Sequence, residues 1–459
     1  MDMKMIDNVL WKQKEFFNKG NTLSIKFRLE MLKKLKQAVV KYEKEILEAL
    51  YLDLNKSEFE GYMCEIGMAL NEISHMIKHI KKYSKVRKVK TPLAQFKSKS
   101  FVKPCPYGNT LIISPWNYPF LLSIDPLVAS IASGNTAIIK PSEYSINTSK
   151  VIEKMINECF DEEYIKVVNG EVETSTYLLS QNFDFIFFTG STKVGKIVLK
   201  SAAEHLIPTV LELGGKSPCI VDSSAKLKLA AKRIIFGKLI NVGQTCVAPD
   251  YIYCQEEIKD ELIKELIIQI KEQYGEDYLS CPYYGKIINK IHFERIIKLI
   301  NQDKVIYGGK FNEDLLKIEP TILDNIDFND EVMLEEIFGP ILPILTFKSV
   351  DEVINNLNNR PKPLAFYIFS EDKNNINKLM DRCLFGGGCI NDTIIHLATN
   401  EMGFGGVKES GMGSYHGKVG FDAFSHNKSV VNKKTWLDLP MRYAPYKNKY
   451  LNLVKKFLK

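Results

Sequence analysis

The 459-residue sequence predicts an α/β protein: a doubly wound parallel sheet, a second α/β unit and a small β element. Two observations carry this. Between Asn109 and Leu213, short apolar runs alternate with amphipathic helical stretches. Alternation of that kind needs crossover connections, which are right-handed and make the sheet parallel. Beyond Gly214 the mixed strand and helix pattern resumes and runs to about Cys389. At this length, roughly two to four domains are expected.

The elements follow in order. Residues 1–90 read as helices; K-F-R-L-E-M-L-K-K-L-K-Q-A-V-V puts apolar residues at helical spacing with lysines opposite. Lys81–Pro104 is basic and extended, a connector or a solvent-facing strand pair. N-T-L-I-I-S is the first strand, Phe120–Ser133 a helix, T-A-I-I-K a strand and Asn147–Cys159 a helix. Y-I-K-V-V, D-F-I-F-F-T and P-T-V-L-E-L are three further strands, with a helix over Lys193–His205 between the last two. Such a unit is by default a nucleotide-binding domain. L-K-L-A-A-K-R-I-I-F-G-K-L-I-N is a helix leading into a cysteine-bearing turn. The last seventy residues hold the glycine-rich F-G-G-V-K-E-S-G-M-G-S-Y-H-G, a strand around Ser429–Asn432 and a basic tail.

Composition excludes several classes. With 45% hydrophobic residues, 25% charged and a net charge of +7, the chain reads as an ordinary soluble protein with a mildly basic surface. Lysines are interspersed with acids, so no nucleic-acid stripe is expected. Nine irregularly spaced cysteines without C-x-x-C argue against a disulfide scaffold and against a zinc site, and favour a reducing, cytoplasmic setting. The charged start M-D-M-K-M-I-D-N-V-L-W-K is no signal peptide. Thr110–Ile139 has one charge, Asp125, but Pro115, Pro119, Pro126, Asn117 and Asn135 interrupt it, so buried packing is expected rather than a lipid-exposed span.

Chemistry concentrates in a few stretches. Most lone cysteines are small buried hydrophobes; Cys219, Cys254, Cys383 and Cys389 sit in strand-like runs and fit that reading. Cys246, in N-V-G-Q-T-C-V-A-P-D-Y, does not. Gly243 and Pro249 flank it, its neighbours are polar, and a thiolate presented there can attack a carbonyl. No histidine lies near in sequence; His205 is the nearest on the N-terminal side. Glu212, ending a strand ahead of Gly214-Gly215, is either a turn residue or a base at the ligand end of a parallel sheet. Asn117 in P-W-N-Y-P is a cap or an oxyanion donor. F-T-G-S-T-K-V-G has the layout for a phosphate on a helix N-terminus. E-E-I-F-G-P sets a carboxylate two residues before an aromatic.

Together with K-P-S-E, L-E-L-G-G-K-S-P and G-F-G-G-V-K-E-S-G-M-G, these motifs resemble, in order and over nearly the whole chain, the NAD(P)-dependent aldehyde dehydrogenase superfamily. The A-P-D-Y after the cysteine and the short N-terminus are similar to its class 3, the fatty and aromatic aldehyde branch. The resemblance implies a nucleophile at Cys246, a general base at Glu212 and an oxyanion donor at Asn117 beside the Cys246 N–H. It places Lys140 and Glu143 at the adenosine ribose, Gly190, Ser191 and Gly195 at the pyrophosphate, Glu336 and Phe338 at the nicotinamide ribose and ring, and Leu213 beneath that ring. It implies an NAD-binding domain over 1–80 and 105–211, a catalytic domain over 212–395, an oligomerisation element over 81–104 and 396–440, and a tail over 441–459. NAD is the expected cofactor with some NADP use; no metal is expected. The expected partners are an aldehyde substrate and a second copy in a homodimer, with no nucleic acid. No membrane span is expected, only weak peripheral contact by the tail. A CoA-acylating or acyl-phosphate-type enzyme of the same fold, or a catalytically silent nucleotide-binding protein, remain as alternatives; the presence of both Cys246 and Glu212 favours hydrolysis of an acyl-enzyme.

Overall fold

The five apolar runs of the N-terminal half become neighbouring strands of one sheet. In the computed structural model, which describes residues 3–457, Asn109–Ile113, Thr136–Lys140, Ile165–Val167, Phe185–Thr189 and Thr209–Glu212 pair in parallel. Asn109–Ile113, Thr136–Lys140 and Phe185–Thr189 are buried along their whole length, as their uninterrupted apolar character requires. The spatial order runs 411–412, 209–212, 185–189, 109–113, 136–140, 165–167. The chain therefore builds outward from Asn109–Ile113 on one side and then restarts at Phe185–Thr189 on the other. That reversal creates a crevice at the carboxyl ends of these two strands, where ligands bind in open parallel sheets. The helices fall where the pattern puts them, at Leu121–Ser133, Ile146–Cys159 and Thr192–Glu204. The stretch 110–139 is thus strand, helix and strand inside the core. Among the described residues no helix is long and apolar enough to cross a membrane.

A second sheet has seven strands in the order 305–307, 321–323, 341–347, 251–255, 218–221, 365–369, 387–390, parallel except for 305–307. Residues 213–217 cross from the end of one sheet to the start of the other. The residues just before Tyr251–Gln255 and Ile341–Phe347 likewise sit at strand beginnings. The cleft accordingly lies where carboxyl ends of the first sheet meet amino ends of the second.

The third sheet is antiparallel: Arg87–Val89, Ser98–Pro106 and Ser425–Lys433. The late strand is longer than the expected core at Ser429–Asn432, and it forms an edge. Gly411–Met412, from the glycine-rich run, adds antiparallel to Glu212 and Leu211 at the edge of the first sheet. Two expectations need correction. The lysines are not evenly interspersed, since the third sheet gathers a long acid-free run. Cys383 follows the helix Lys373–Arg382 rather than lying in a strand, and Cys389 is in a strand but only half-buried. The tail forms a helix over Leu451–Phe457 whose Leu451 and Leu453 are exposed; Leu458 and Lys459 lie outside the described residues.

Candidate active site

Cys246 is delivered by a turn that the backbone builds with difficulty. After the helix Leu227–Leu239, three successive residues, Asn241, Val242 and Gly243, take left-handed φ of 50°, 56° and 76°. A side chain at Gly243 would collide with the Gly339 carbonyl, so the close approach of the F-G-P turn requires glycine there. The Gln244 side chain fixes the turn. Its Nε2 donates to the Asn241 and Lys286 carbonyls at 3.1 and 3.0 Å, and its Oε1 accepts from Ile288 N–H at 3.1 Å. Cys246 then sits half-buried on the wall of a cleft of about 640 Å³. Burial pushes its thiol pKa up, the Glu336 and Glu212 charges add to this, and the N–H groups of Cys246 and Val247 oppose it.

Asn117 lines the same cleft. Its Nδ2 donates to the Gln244 carbonyl at 2.9 Å, which leaves the second amide N–H for a ligand. Its own carbonyl accepts from Lys56 Nζ and Asn241 Nδ2, both at 2.8 Å. Lys56 is fully buried against Glu65 at 2.5 Å, and Glu65 accepts the N–H groups of Phe120 and Leu121 at the start of the helix Leu121–Ser133. The sequence reading missed this pair; no local pattern around Lys56 or Glu65 signals that the two meet behind Asn117.

Glu212 ends its strand in the cleft wall, only 2% exposed, and neither carboxylate oxygen has a partner. Desolvation raises its pKa well above the ordinary carboxylate value. Glu336 lies over the adjacent glycines: a Cβ at Gly214 would collide with its carboxylate. Burial, then the charge of Asp250, raises the Glu336 pKa to about 8, against the Gly215 N–H and the cations Lys216 and Arg295. Those cations also hold its loop. Lys216 is paired with Asp250 and donates to the Val332 and Glu335 carbonyls, each at 2.9 Å. Asp250 accepts the Ile337 N–H at 2.9 Å, and Arg295 donates to the Glu336 and Ile337 carbonyls at 3.3 and 2.6 Å. Phe338 meets Trp116 edge to face at 5.3 Å.

Gly190, Ser191 and Leu213 complete the cleft wall. Ser191 caps the helix Thr192–Glu204 through Val194 N–H at 3.3 Å, and Thr192 and Lys193 face the cleft. Gly195 lies behind the wall, where a Cβ would stand 2.5 Å from Leu213 Cδ2; glycine lets Leu213 lie on the helix. Lys140 and Glu143 are also off the lining, joined to each other at 2.8 Å at the carboxyl end of Thr136–Lys140. His205 caps a distant helix end. A histidine not anticipated from sequence, His292, does line the cleft beside Trp116. Burial and Arg295 lower its pKa to about 4, so it is neutral near pH 7. Among the described residues no cluster of three or more His, Cys, Asp or Glu could hold a metal.

A helix N-terminus and glycines that admit close backbone approach fit a dinucleotide, and a thiol with an unpartnered buried carboxylate on the same wall suits covalent oxidoreductase chemistry. Residues 2–430 match the aldehyde dehydrogenase family. The chain is 49% identical to the 4,4'-diaponeurosporen-aldehyde dehydrogenase of Staphylococcus aureus, covering all of both chains. It is 44% identical to aldehyde dehydrogenase family 3 member A2 of Rattus norvegicus, covering 97% of this chain and 92% of that one. A solved structure described as the substrate-bound state of Staphylococcus aureus AldH superposes with a TM-score of 0.97 at 49% identity over 99% of each chain. The chain belongs to the aldehyde dehydrogenase family. It is an NAD(P)-dependent enzyme that oxidises an aldehyde to its acid.

Proposed function

We propose that Cys246 attacks the aldehyde carbon and that Glu212 activates the water that later releases the acid. An aldehyde has no leaving group, so its hydrogen departs only as hydride, after a nucleophile has made the carbon tetrahedral. The free N–H of Asn117 and the Cys246 N–H receive the oxyanion, a contact typically worth about 3 kcal/mol per donor. When bound, the nicotinamide cofactor accepts the hydride. The acyl group then remains on Cys246 as a thioester, and Glu212 takes a proton from the attacking water. The observation that carries this reading is Glu212 itself: a buried carboxylate with two unpartnered oxygens in the wall shared with Cys246. Cys246→Ala is expected to abolish oxidation of every aldehyde while cofactor binding, read by fluorescence quenching, survives. Glu212→Gln is expected to keep a pre-steady-state burst of reduced cofactor and lose steady turnover. A burst lost together with turnover would show that Glu212 acts before hydride transfer.

The residues that would hold the cofactor are Ser191 and Gly190 at the pyrophosphate, Glu336, Phe338 and Leu213 around the nicotinamide end, and Lys140 and Glu143 at the adenosine ribose. They divide between a cofactor domain, 1–80 with 105–211, and a catalytic domain, 212–395, with 81–104 and 396–440 as an oligomerisation element. NAD is the preferred cofactor. The Glu143 carboxylate accepts a ribose 2′-hydroxyl and repels a 2′-phosphate, and Lys140, which would attract that phosphate, is spent on Glu143 and the Pro141 carbonyl. The kcat/KM ratio of NAD over NADP is expected to exceed one and to fall roughly tenfold in Glu143→Gln, the loss of about 1.4 kcal/mol of discrimination. An apolar aldehyde suits the Trp116, Leu122 and Phe338 side chains of the cleft and accords with the aldehyde named for the Staphylococcus relative. A chain-length series read by cofactor absorbance tests this. Nine free cysteines accord with a reducing cytoplasm.

A further inference from the structure

A lysine with no exposed side-chain surface lies directly behind the cleft. Lys56 stands in the turn between the helices Glu43–Leu54 and Glu58–Tyr83, and its side chain, like that of Glu65, is fully buried. The second helix is interrupted by a π turn at Tyr62–Ile66, closed by the Gly67 N–H on the Tyr62 carbonyl five residues back. Insertions of this kind gather at functional sites. Here the π turn carries Glu65 and follows shortly after Glu60. Glu65 pairs with Lys56, whose Nζ donates to the Asn117 carbonyl at 2.8 Å and stands 4.0 Å from the centre of the Tyr118 ring. Glu60 accepts the Asn241 N–H at 2.8 Å. Asn241 Nδ2 in turn donates to the Asn117 and Gln244 carbonyls, at 2.8 and 3.1 Å. The Tyr118 hydroxyl meets Thr245 Oγ1, next to Cys246, at 2.7 Å. The Asn117 segment and the turn that carries Cys246 are therefore tied to each other and, through two carboxylates, to one helix.

We propose, resting on the reading of Asn117 as the oxyanion donor, that Lys56 with Glu65 and Glu60 sets that donor's position against the nucleophile. Lys56 is a positioning residue: it touches the main chain of Asn117 and not the reacting atoms. A buried ion pair gains little net stability over apolar side chains of similar volume. Glu65 needs no lysine to accept the N–H groups that start the helix Leu121–Ser133. What the lysine adds is direction. It holds the Asn117 carbonyl from the side of the helix, Asn241 holds the same oxygen from the side of the cysteine turn, and the Asn117 amide is aimed from a fixed backbone. Precision of this kind matters to the chemistry, because misplacing a group by about 1 Å can cost roughly 100-fold in rate.

The test combines Lys56→Met with Glu65→Gln in the full chain, so that neither charge is left buried alone. This paired variant is expected to melt close to the wild type and to keep its Kd for NAD, read by fluorescence quenching. Its pre-steady-state burst with a small soluble aldehyde is expected to slow at least ~10-fold, short of the roughly 100–1,000-fold that removal of an oxyanion donor costs. Added to Asn117→Ala, the same pair is expected to slow the burst no further, because it acts through Asn117. Glu60→Ala probes the brace without touching the pair; it is expected to slow the burst, and Glu60→Gln, which keeps an acceptor for Asn241, to restore it. A wild-type burst in the paired variant while Asn117→Ala is slow overturns this proposal alone. A wild-type burst in Asn117→Ala removes the oxyanion assignment and the proposal with it. Losses that multiply when the pair is added to Asn117→Ala, or a burst lost only as far as the melting temperature falls, would make the pair a structural one and overturn the proposal. So would a wild-type burst in Glu60→Ala or the absence of rescue by Glu60→Gln.

Discussion

Glu212 is held in the folded protein against its own solvation. Both oxygens are buried and neither is paired, and an ionised carboxylate in that position costs stability. Its folded pKa is raised above the unfolded value, so no cost is felt below the ordinary carboxylate range, and the cost grows as pH climbs from there toward the folded pKa. Glu212→Gln is therefore expected to melt higher than the wild type by the equivalent of about 1–3 kcal/mol, with a gap that widens in a thermal scan as pH rises above the ordinary carboxylate range. A gap that narrowed with rising pH would mean the carboxylate is compensated in solution. Cys246 behaves by the same electrostatics. Burial first, and then Glu336, disfavour its thiolate, so Glu336→Gln is expected to move the pH profile of iodoacetamide alkylation toward lower pH. Cys246 stands out in the sequence because glycine and polar neighbours set it apart, whereas the strand end before two glycines leaves Glu212 open between a turn residue and a base, and only the resemblance to the family selects the base. Lys56 and Glu65 are not legible: their meaning lies in a contact to Asn117 made across distant parts of the chain, and nothing local encodes it.

At the scale of elements, the strands of the first sheet are legible because they are buried on both faces and read as uninterrupted apolar runs. The turn at Asn241–Gly243 is legible only as a turn. Left-handed φ at an asparagine and a valine is unfavourable by roughly 1–2 kcal/mol per residue, and the tertiary bonds of Gln244 and Asn241 that impose it are invisible in a linear pattern. The loop 332–338 shows the same limit. E-E-I-F-G-P announces a carboxylate and an aromatic, yet Glu336 is aimed by Lys216, Asp250 and Arg295, which come from three other segments. Arg295 bonds two of the loop's carbonyls. Removing a charged donor of this kind typically forfeits about 1.5–3 kcal/mol per bond. In Arg295→Ala the KM for NAD is expected to rise about tenfold or more, with a smaller change in kcat. The opposite split, kcat falling at constant KM, would mean that the loop acts in the chemical step and not in holding the proposed cofactor.

At the scale of the whole molecule, the third sheet is incomplete. Ser425–Lys433 is a nine-residue edge strand, exposed from His426 to Asn432, with Val430 and Val431 uncovered on its two faces. An edge of that length, without bulge or proline and with only Lys428 and Lys433 to guard it, is a template for further pairing unless something covers it. We propose that a second copy covers this one around a two-fold axis, the arrangement that closes on itself and leaves no further edge to extend. The pairing uses the backbone edge and the valines of 425–433. The wild type is expected to scatter light as twice the chain mass. Charges placed at strand edges are the usual guard against pairing, so Val430→Lys with Val431→Lys is expected to give a monomer. That monomer should keep the cofactor burst, since Cys246, Glu212 and Asn117 all come from one chain and lie on one cleft. A wild-type monomer, or a double lysine variant that stays dimeric, would place the subunit contact elsewhere. A monomer that loses the burst would show that the partner braces the cleft and is needed for the chemistry.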